Sequence, residues 1–168
     1  GTKGIGKAIV DELIDNNKII CMSRNMTDFT HDNYIHFQID STKDDFPNIE
    51  NIDTLVYCPG SINLKPISTL SIENFRDDFE LNVIGAVKAI KKYLPVLKKG
   101  ENPSILLFST VATKLGMPYH ASVSASKSAI DGIVKTLGAE LAPKIRVNAI
   151  APTITNTDLA SKILRNEK

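Results

Sequence analysis

Three glycines at the start of the chain, Gly1, Gly4 and Gly6, and the pair Ser23-Arg24 are the first residues whose types and spacing could do chemistry. A glycine turn that opens a helix lets backbone N–H groups approach a pyrophosphate at the positive end of the helix dipole. Alone this spacing is weak, because glycines also simply end turns. It gains weight from Ser23-Arg24, which follows the next apolar run. An NAD-specific domain places an acidic side chain there, against the ribose 2′-hydroxyl. A small residue followed by arginine instead suits a 2′-phosphate, which a guanidinium holds by paired hydrogen bonds. The position reads as NADP. The alternative for Arg24 is an exposed loop arginine with no ligand.

Five short apolar runs must position these residues: Lys18 to Ser23, Tyr34 to Ile39, Thr54 to Cys58, Ser104 to Ser109 and Ile145 to Ile150. Most lack polar alternation, as strands of a parallel sheet covered on both faces do. Helical spacing appears at Ile5, Ala8, Ile9 and Leu13, and again from Phe75 through Phe79, Val83, Val87 and Ile90 to Leu94. A third stripe, Ile130, Val134, Leu137 and Leu141, lies within 121–142. Alternating strands and helices predict one doubly wound α/β domain over residues 1–168, with a mainly parallel, Rossmann-type sheet. Only Arg24 to Asn33 joins the first two strands, so no full helix is expected there; Asp40 to Asp53 has room for little more than two turns. A glycine turn should follow a strand, and a helical pattern starting near Asp158 runs on to Lys168. The domain is therefore expected to be incomplete at both termini.

The chain has 168 residues, 42% of them apolar and 23% charged, the balance of a globular domain with a real core. A formal net charge of +1 gives no reason to expect nucleic acid or an anionic membrane surface as a partner. Lys91-Lys92 and Lys98-Lys99 read as the solvated face and C-terminal end of a helix, where cations suit the dipole. Cys21 and Cys58 sit in apolar runs and read as buried thiols in a reducing cytoplasm. No apolar stretch approaches the roughly 20 residues that span a bilayer, and nothing calls for a metal.

Further motifs, in order, resemble the short-chain dehydrogenase/reductase family over nearly the whole chain. Gly1 to Gly6 resembles the end of the family's T-G-x-x-x-G-I-G turn, and Asp40 the aspartate that ends the third family strand. Asn82, in Leu-Asn-Val, matches the asparagine of the long fourth helix, and Ser124-Ala125-Ser126-Lys127 the tail of Y-x-A-S-K. Arg146 to Pro152 resembles the R-V-N-x-I-x-P-G strand and turn, and Thr157 the threonine after it. The resemblance implies a nicotinamide cofactor site built from Thr2, Lys3, Gly4, Ile5, Gly6, Ser23, Arg24, Asp40, Ser41, Pro59, Gly60, Lys127, Pro152, Thr153, Thr155 and Thr157. It also implies catalytic roles for Asn82, Thr110 and Lys127. A homodimer or homotetramer is implied too, paired through the helices at 75–97 and 121–142, whose outer faces offer Ala86, Ala129 and Gly132.

The departures from the pattern bear on function. Four residues before Lys127 stands Val123, where the family has its catalytic tyrosine, and thirteen before that stands Thr110, where it has serine. Tyr57-Cys58-Pro59-Gly60 replaces N-N-A-G, and Thr153 replaces the glycine of the P-G pair. Reducing a carbonyl leaves a developing alkoxide that must receive a proton, and valine has none to give. Tyr119 lies one helical turn before Val123 if the helix reaches back that far, and His120 carries an imidazole, a side chain suited to proton transfer; either is the substitute donor, or Tyr119 simply packs and His120 is a helix-entry residue. The leading expectation is an NADP(H)-dependent oxidoreductase acting on a small carbonyl or alcohol. The alternatives are a catalytically silent NADP-binding protein, acting as sensor or assembly partner, and a non-redox enzyme on the same scaffold.

Overall fold

In the computed structural model, which describes residues 1–161, the chain forms two compact units: Gly1–Phe46 with the stretch from Ile154 on, and Pro47–Thr153. The five expected strands and the helices expected at 5–13, 75–97 and 121–142 are present, their ends moved by at most two residues except the start of the second helix, which lies three residues earlier at Ile72.

In the first unit, helix α1 (Gly4–Leu13) starts without a side-chain cap, and Gly4 takes a left-handed φ of 53° that a Cβ would strain. Val10 and Ile14 are its buried side chains. Strands β1 (Ile19–Ser23) and β2 (Tyr34–Gln38) pair in parallel, Ile19 opposite Tyr34 and Ser23 opposite Gln38. No helix lies between them, as the ten-residue crossover predicts, and turns alone follow Asp40. Asp158–Ala160 is a turn, and most of the helix expected from near Asp158 lies outside the described residues.

In the second unit, β3 (Thr54–Val56), β4 (Ser104–Phe108) and β5 (Arg146–Ile150) form a three-stranded parallel sheet in the order β3-β4-β5. Leu106 pairs with Val56 on one side and Asn148 on the other. The central strand β4 is the most covered, whereas β5, at one edge, buries Val147 and exposes Arg146, Asn148 and Ile150. Full coverage on both faces thus holds for the centre and not for the edge.

The long second helix is one continuous rod in three parts. Helix α2 (Ile72–Phe79) opens with a capping box, Ser71 Oγ accepting from Asn74 N–H at 3.1 Å and Asn74 Oδ1 from Ser71 N–H at 3.3 Å. A π-helical turn at Glu80–Ile84 follows, and α3 (Gly85–Leu97) completes the rod. A short helix, α4 (Ala112–Leu115), was not legible in the sequence; Gly116 closes it at a left-handed φ of 63°. Helix α5 (Ala121–Leu141) presents Ser122, Val123, Ser126, Lys127 and Ile130 to the interior.

Leu97, Ile105, Leu107 and Ile130 are at most 1% exposed, each worth about 1.5–3 kcal/mol of burial. Ala86, expected on an outer face, is fully buried in the core instead. On the π-shifted rod its small side chain belongs to the stripe with Ala89, Ile90 and Tyr93. Ala129 is half-buried, and Gly132 is exposed with open space around its Cα. Lys91, Lys92, Lys98 and Lys99 are exposed along and just beyond α3, as the charge pattern predicts.

Candidate functional site

In parallel strands the residues that follow the carboxyl ends share one edge, where ligands of such folds sit. In the second unit that edge carries Cys58, Pro59 and Gly60 after β3, Ser109 and Thr110 after β4, and Pro152 and Thr153 after β5. Backbone bonds tie these segments together: Tyr57 N–H to Leu106 O at 3.0 Å, Ser109 N–H to Ile150 O at 2.8 Å and Val111 N–H to Pro152 O at 3.3 Å.

Asn82, Lys127 and Gly60 meet there. Asn82, on the π-turn, is 1% exposed, and its Nδ2 donates to the Asp78 backbone carbonyl at 2.7 Å and to Ser61 Oγ at 3.0 Å. A backbone carbonyl can only accept, so the amide orientation is forced. Its Oδ1 is then left buried without a partner. A Cβ placed on Gly60 would stand 3.4 Å from that oxygen and 3.6 Å from Lys127 Nζ. Glycine thus keeps open the point on which both atoms converge. Lys127 is 8% exposed, and burial pulls its ammonium down from 10.5 to about 8, with Cys58 and Asp78 acting in the opposite direction.

Thr110 is half-buried, and its Oγ1 accepts from Ala112 N–H at 3.3 Å. Next to it, Ser109 Oγ is buried with no hydrogen-bond partner. Val123 lies on α5 one turn before Lys127, with its side chain 7% exposed. The helix does not reach back to Tyr119. That residue sits outside α5 with a left-handed φ of 66° and 60% exposure, so it is not stacked one turn before Val123. His120 stands at the N-cap position of α5 without a side-chain capping bond, its Nδ1 2.6 Å from Pro118 O. Cys58, read as buried, is half-buried and close enough to Lys127 to act on its charge.

The first unit gathers a separate set. Thr2 and Lys3 lead into α1, Ile5 follows Gly4 on its first turn, and Gly6 is buried. A Cβ on Gly4 would lie 3.4 Å from Thr157 Cγ2, so the glycine turn and Thr157 are neighbours. Thr157 Oγ1 donates to Thr155 O at 3.3 Å and accepts from Ala160 N–H, a cap for the turn that follows. At the carboxyl end of β1, Ser23 Oγ donates to Asn25 O at 2.9 Å. Its hydrogen is thereby used, so His36 Nε2, 2.8 Å away, is assigned as donor to it. Arg24 is exposed, its backbone carbonyl held by Gln38 Nε2 at 3.0 Å. Beyond β2, Asp40 Oδ1 accepts from Thr42 Oγ1 at 2.7 Å and Thr42 N–H at 3.0 Å. Those bonds hold its carboxyl below the ordinary range, and Ser41 beside it is buried.

The profile of the family described as short chain dehydrogenase matches residues 1–168. The chain belongs to that family. An uncharacterised oxidoreductase of Schizosaccharomyces pombe is 27% identical over 181 residues, covering 99% of this chain and 72% of the relative. The chain spans less than half the length of several other curated relatives. The ligand-free aldohexose dehydrogenase of Thermoplasma acidophilum superposes with a TM-score of 0.88 at 25% identity, covering 99% of this chain and 68% of that one. A structure described as ElxO with NADP bound gives 0.86 at 24% identity, covering 100% and 77%, which speaks for the fold.

The short chain dehydrogenase thus has a Rossmann-like α/β fold with parallel sheets, as its sequence predicts. Two site neighbours went unread. His36 lay in an apolar run and passed for a strand residue. Asp78 sits among the charged residues Glu73, Arg76 and Asp77 and was not singled out, yet it is fully buried. The available signal was its spacing: Asp78 stands four residues before Asn82, on the same helix face.

Proposed function

We propose that this short chain dehydrogenase is an NADP(H)-dependent oxidoreductase that interconverts a small carbonyl compound and its alcohol. The observation that carries this reading is the buried ammonium of Lys127 and the unpartnered Oδ1 of Asn82 converging on the open Gly60. An unfilled buried acceptor beside a buried donor suits a polar ligand, such as a ribose with its hydroxyls. The bound cofactor supplies or takes up the hydride. Lys127 would hold ribose hydroxyls, Thr110 would hydrogen-bond the substrate oxygen, and Pro59, Pro152 and Thr153 would line the nicotinamide end. The glycine turn with Thr155 and Thr157 would meet the pyrophosphate, and Asp40 with Ser41 the adenine.

Val123 has replaced the family's catalytic tyrosine in this reading, so the proton comes from water or another donor. The same valine supports the second reading, a binder of NADP(H) that no longer catalyses. Purified protein tested for NADPH oxidation against a broad panel of aldehydes and ketones separates them: turnover supports the enzyme, and binding without turnover supports the silent protein.

Cofactor preference follows from Ser23-Arg24. The exposed guanidinium stands at the carboxyl end of β1 with no acidic residue beside it in sequence. NADP(H) should bind at least about tenfold tighter than NAD(H), roughly 1.4 kcal/mol, and Arg24→Ala should erase most of that margin. Calorimetry with both cofactors decides this; equal affinities in the native protein would remove the claim.

The reading includes a homodimer or homotetramer. Ile72 and Phe79 on α2 are 68% and 42% exposed and flank a groove lined also by Ser122 and Ala125 of α5. Light scattering at micromolar concentration should give at least twice the chain mass, and a monomer would refute it. A cytoplasmic location is also proposed: neither cysteine forms a disulfide, and among the described residues no helix is long and apolar enough to cross a membrane.

A further inference from the structure

Asp78 is a carboxylate with no exposure at all, and a buried carboxylate is costly unless every lone pair is met. Three neutral side chains meet it. Ser61 Oγ and Asn63 Nδ2 donate to its Oδ1, the latter at 2.8 Å, and Ser122 Oγ donates to its Oδ2. Among the described residues no arginine or lysine forms an ion pair with it, so hydroxyl and amide donors meet its oxygens.

The chain of donors then runs outward. Ser61 spends its hydrogen on Asp78, so its oxygen can only accept, and it accepts from Asn82 Nδ2 at 3.0 Å. The backbone carbonyl of Asp78 takes the other Asn82 hydrogen at 2.7 Å. Both amide hydrogens are thereby used, and Oδ1 is the atom left beside the point at Gly60 that Lys127 Nζ also borders.

We propose that Asp78 is a positioning residue for the cofactor-facing pair: through Ser61 and its own backbone carbonyl it fixes the Asn82 amide, so that Oδ1 faces the point at Gly60 that Lys127 Nζ also borders. The role in cofactor binding rests on the reading of Lys127 given above. The positioning itself can be measured without any cofactor present.

The experiment is NMR on the purified protein without nucleotide, following the Asn82 side-chain amide resonances, assigned by their loss in Asn82→Asp. Asp78→Ala frees the Ser61 hydrogen and should make the Asn82 side-chain amide hydrogens exchange roughly tenfold faster. Asp78→Glu should hold the exchange close to native. A residue that merely supported folding would change the melting temperature and leave the exchange in place; a folded Asp78→Ala protein with unchanged exchange overturns the proposal. Should Asp78→Ala fail to fold, Ser61→Ala removes the acceptor of one Asn82 hydrogen and should speed the exchange to the same degree, and unchanged exchange there overturns it. Because no nucleotide is used, failure of NADPH binding in calorimetry would leave both results standing.

Discussion

Replacing Val123 with tyrosine is expected to raise NADPH-driven carbonyl reduction by about 10²–10⁴-fold, the usual contribution of a placed general acid. Position 123 is one turn before Lys127 on α5, about 6 Å along the helix, and faces the same interior. Lys127 is mostly an ammonium at pH 7, since burial lowers it only to about 8, and a cation nearby lowers a phenol from its ordinary value near 10. The cost is steric. Val123 is 7% exposed, so a larger ring must displace neighbours, and about 1–3 kcal/mol of stability should be lost with the gain. Initial rates at pH 7 on a carbonyl panel, beside a melting curve, check both. An inactive native protein with an active variant would mean the site has lost only its acid. An active native protein slowed by the tyrosine would mean that valine belongs to a substitute mechanism, and Tyr119→Phe and His120→Ala would then find the donor. No turnover in either form, with NADPH still bound, would leave the oxidoreductase reading without support from this site.

How much of this was legible in the sequence depends on how local the cause is. The strands were, because apolar runs of five or six residues between turn residues have few other uses. Their ends moved, as at Lys18 and Cys58, because pairing with a neighbour decides where a strand stops. The π-turn at Glu80–Ile84 was not legible: one extra residue in a helical turn has no local signature, yet it sets the stripes of the rod on which Asn82 and Ala86 lie. The condition on Tyr119, that the helix reach back to it, could be settled only by the fold: α5 starts at Ala121, and Tyr119 has a left-handed backbone outside it. Asp78 shows the other limit. Its partners Ser61, Asn63 and Ser122 come from two other segments, so only the folded chain reveals that it is held inside.

Affinity for NADPH is expected to fall as pH rises through about 8, and Lys127→Met should bind weakly at every pH. Lys127 ordinarily titrates at 10.5, and burial brings it to about 8 in the folded protein, so only below that value is the charged donor present. Hydrogen bonds to a charged group contribute about 1.5–3 kcal/mol, which corresponds to roughly a ten- to hundredfold change in affinity. The same lysine leaves a mark on stability with a definite sign. Its folded value lies below its unfolded one, so between about pH 8 and 10.5 the unfolded chain holds the extra proton. Stability therefore rises with pH across that window, by on the order of 3 kcal/mol from this group, and Lys127→Met should flatten the rise. Calorimetry at pH 7 and 9 with denaturant melts at the same two values tests both halves together. Equal NADPH affinity at the two pH values in the native protein would separate Lys127 from the cofactor. A stability rise that persists in Lys127→Met would assign the slope to another group. If the affinity loss and the stability gain appear together in the native protein and vanish together in the variant, one buried ammonium accounts for both.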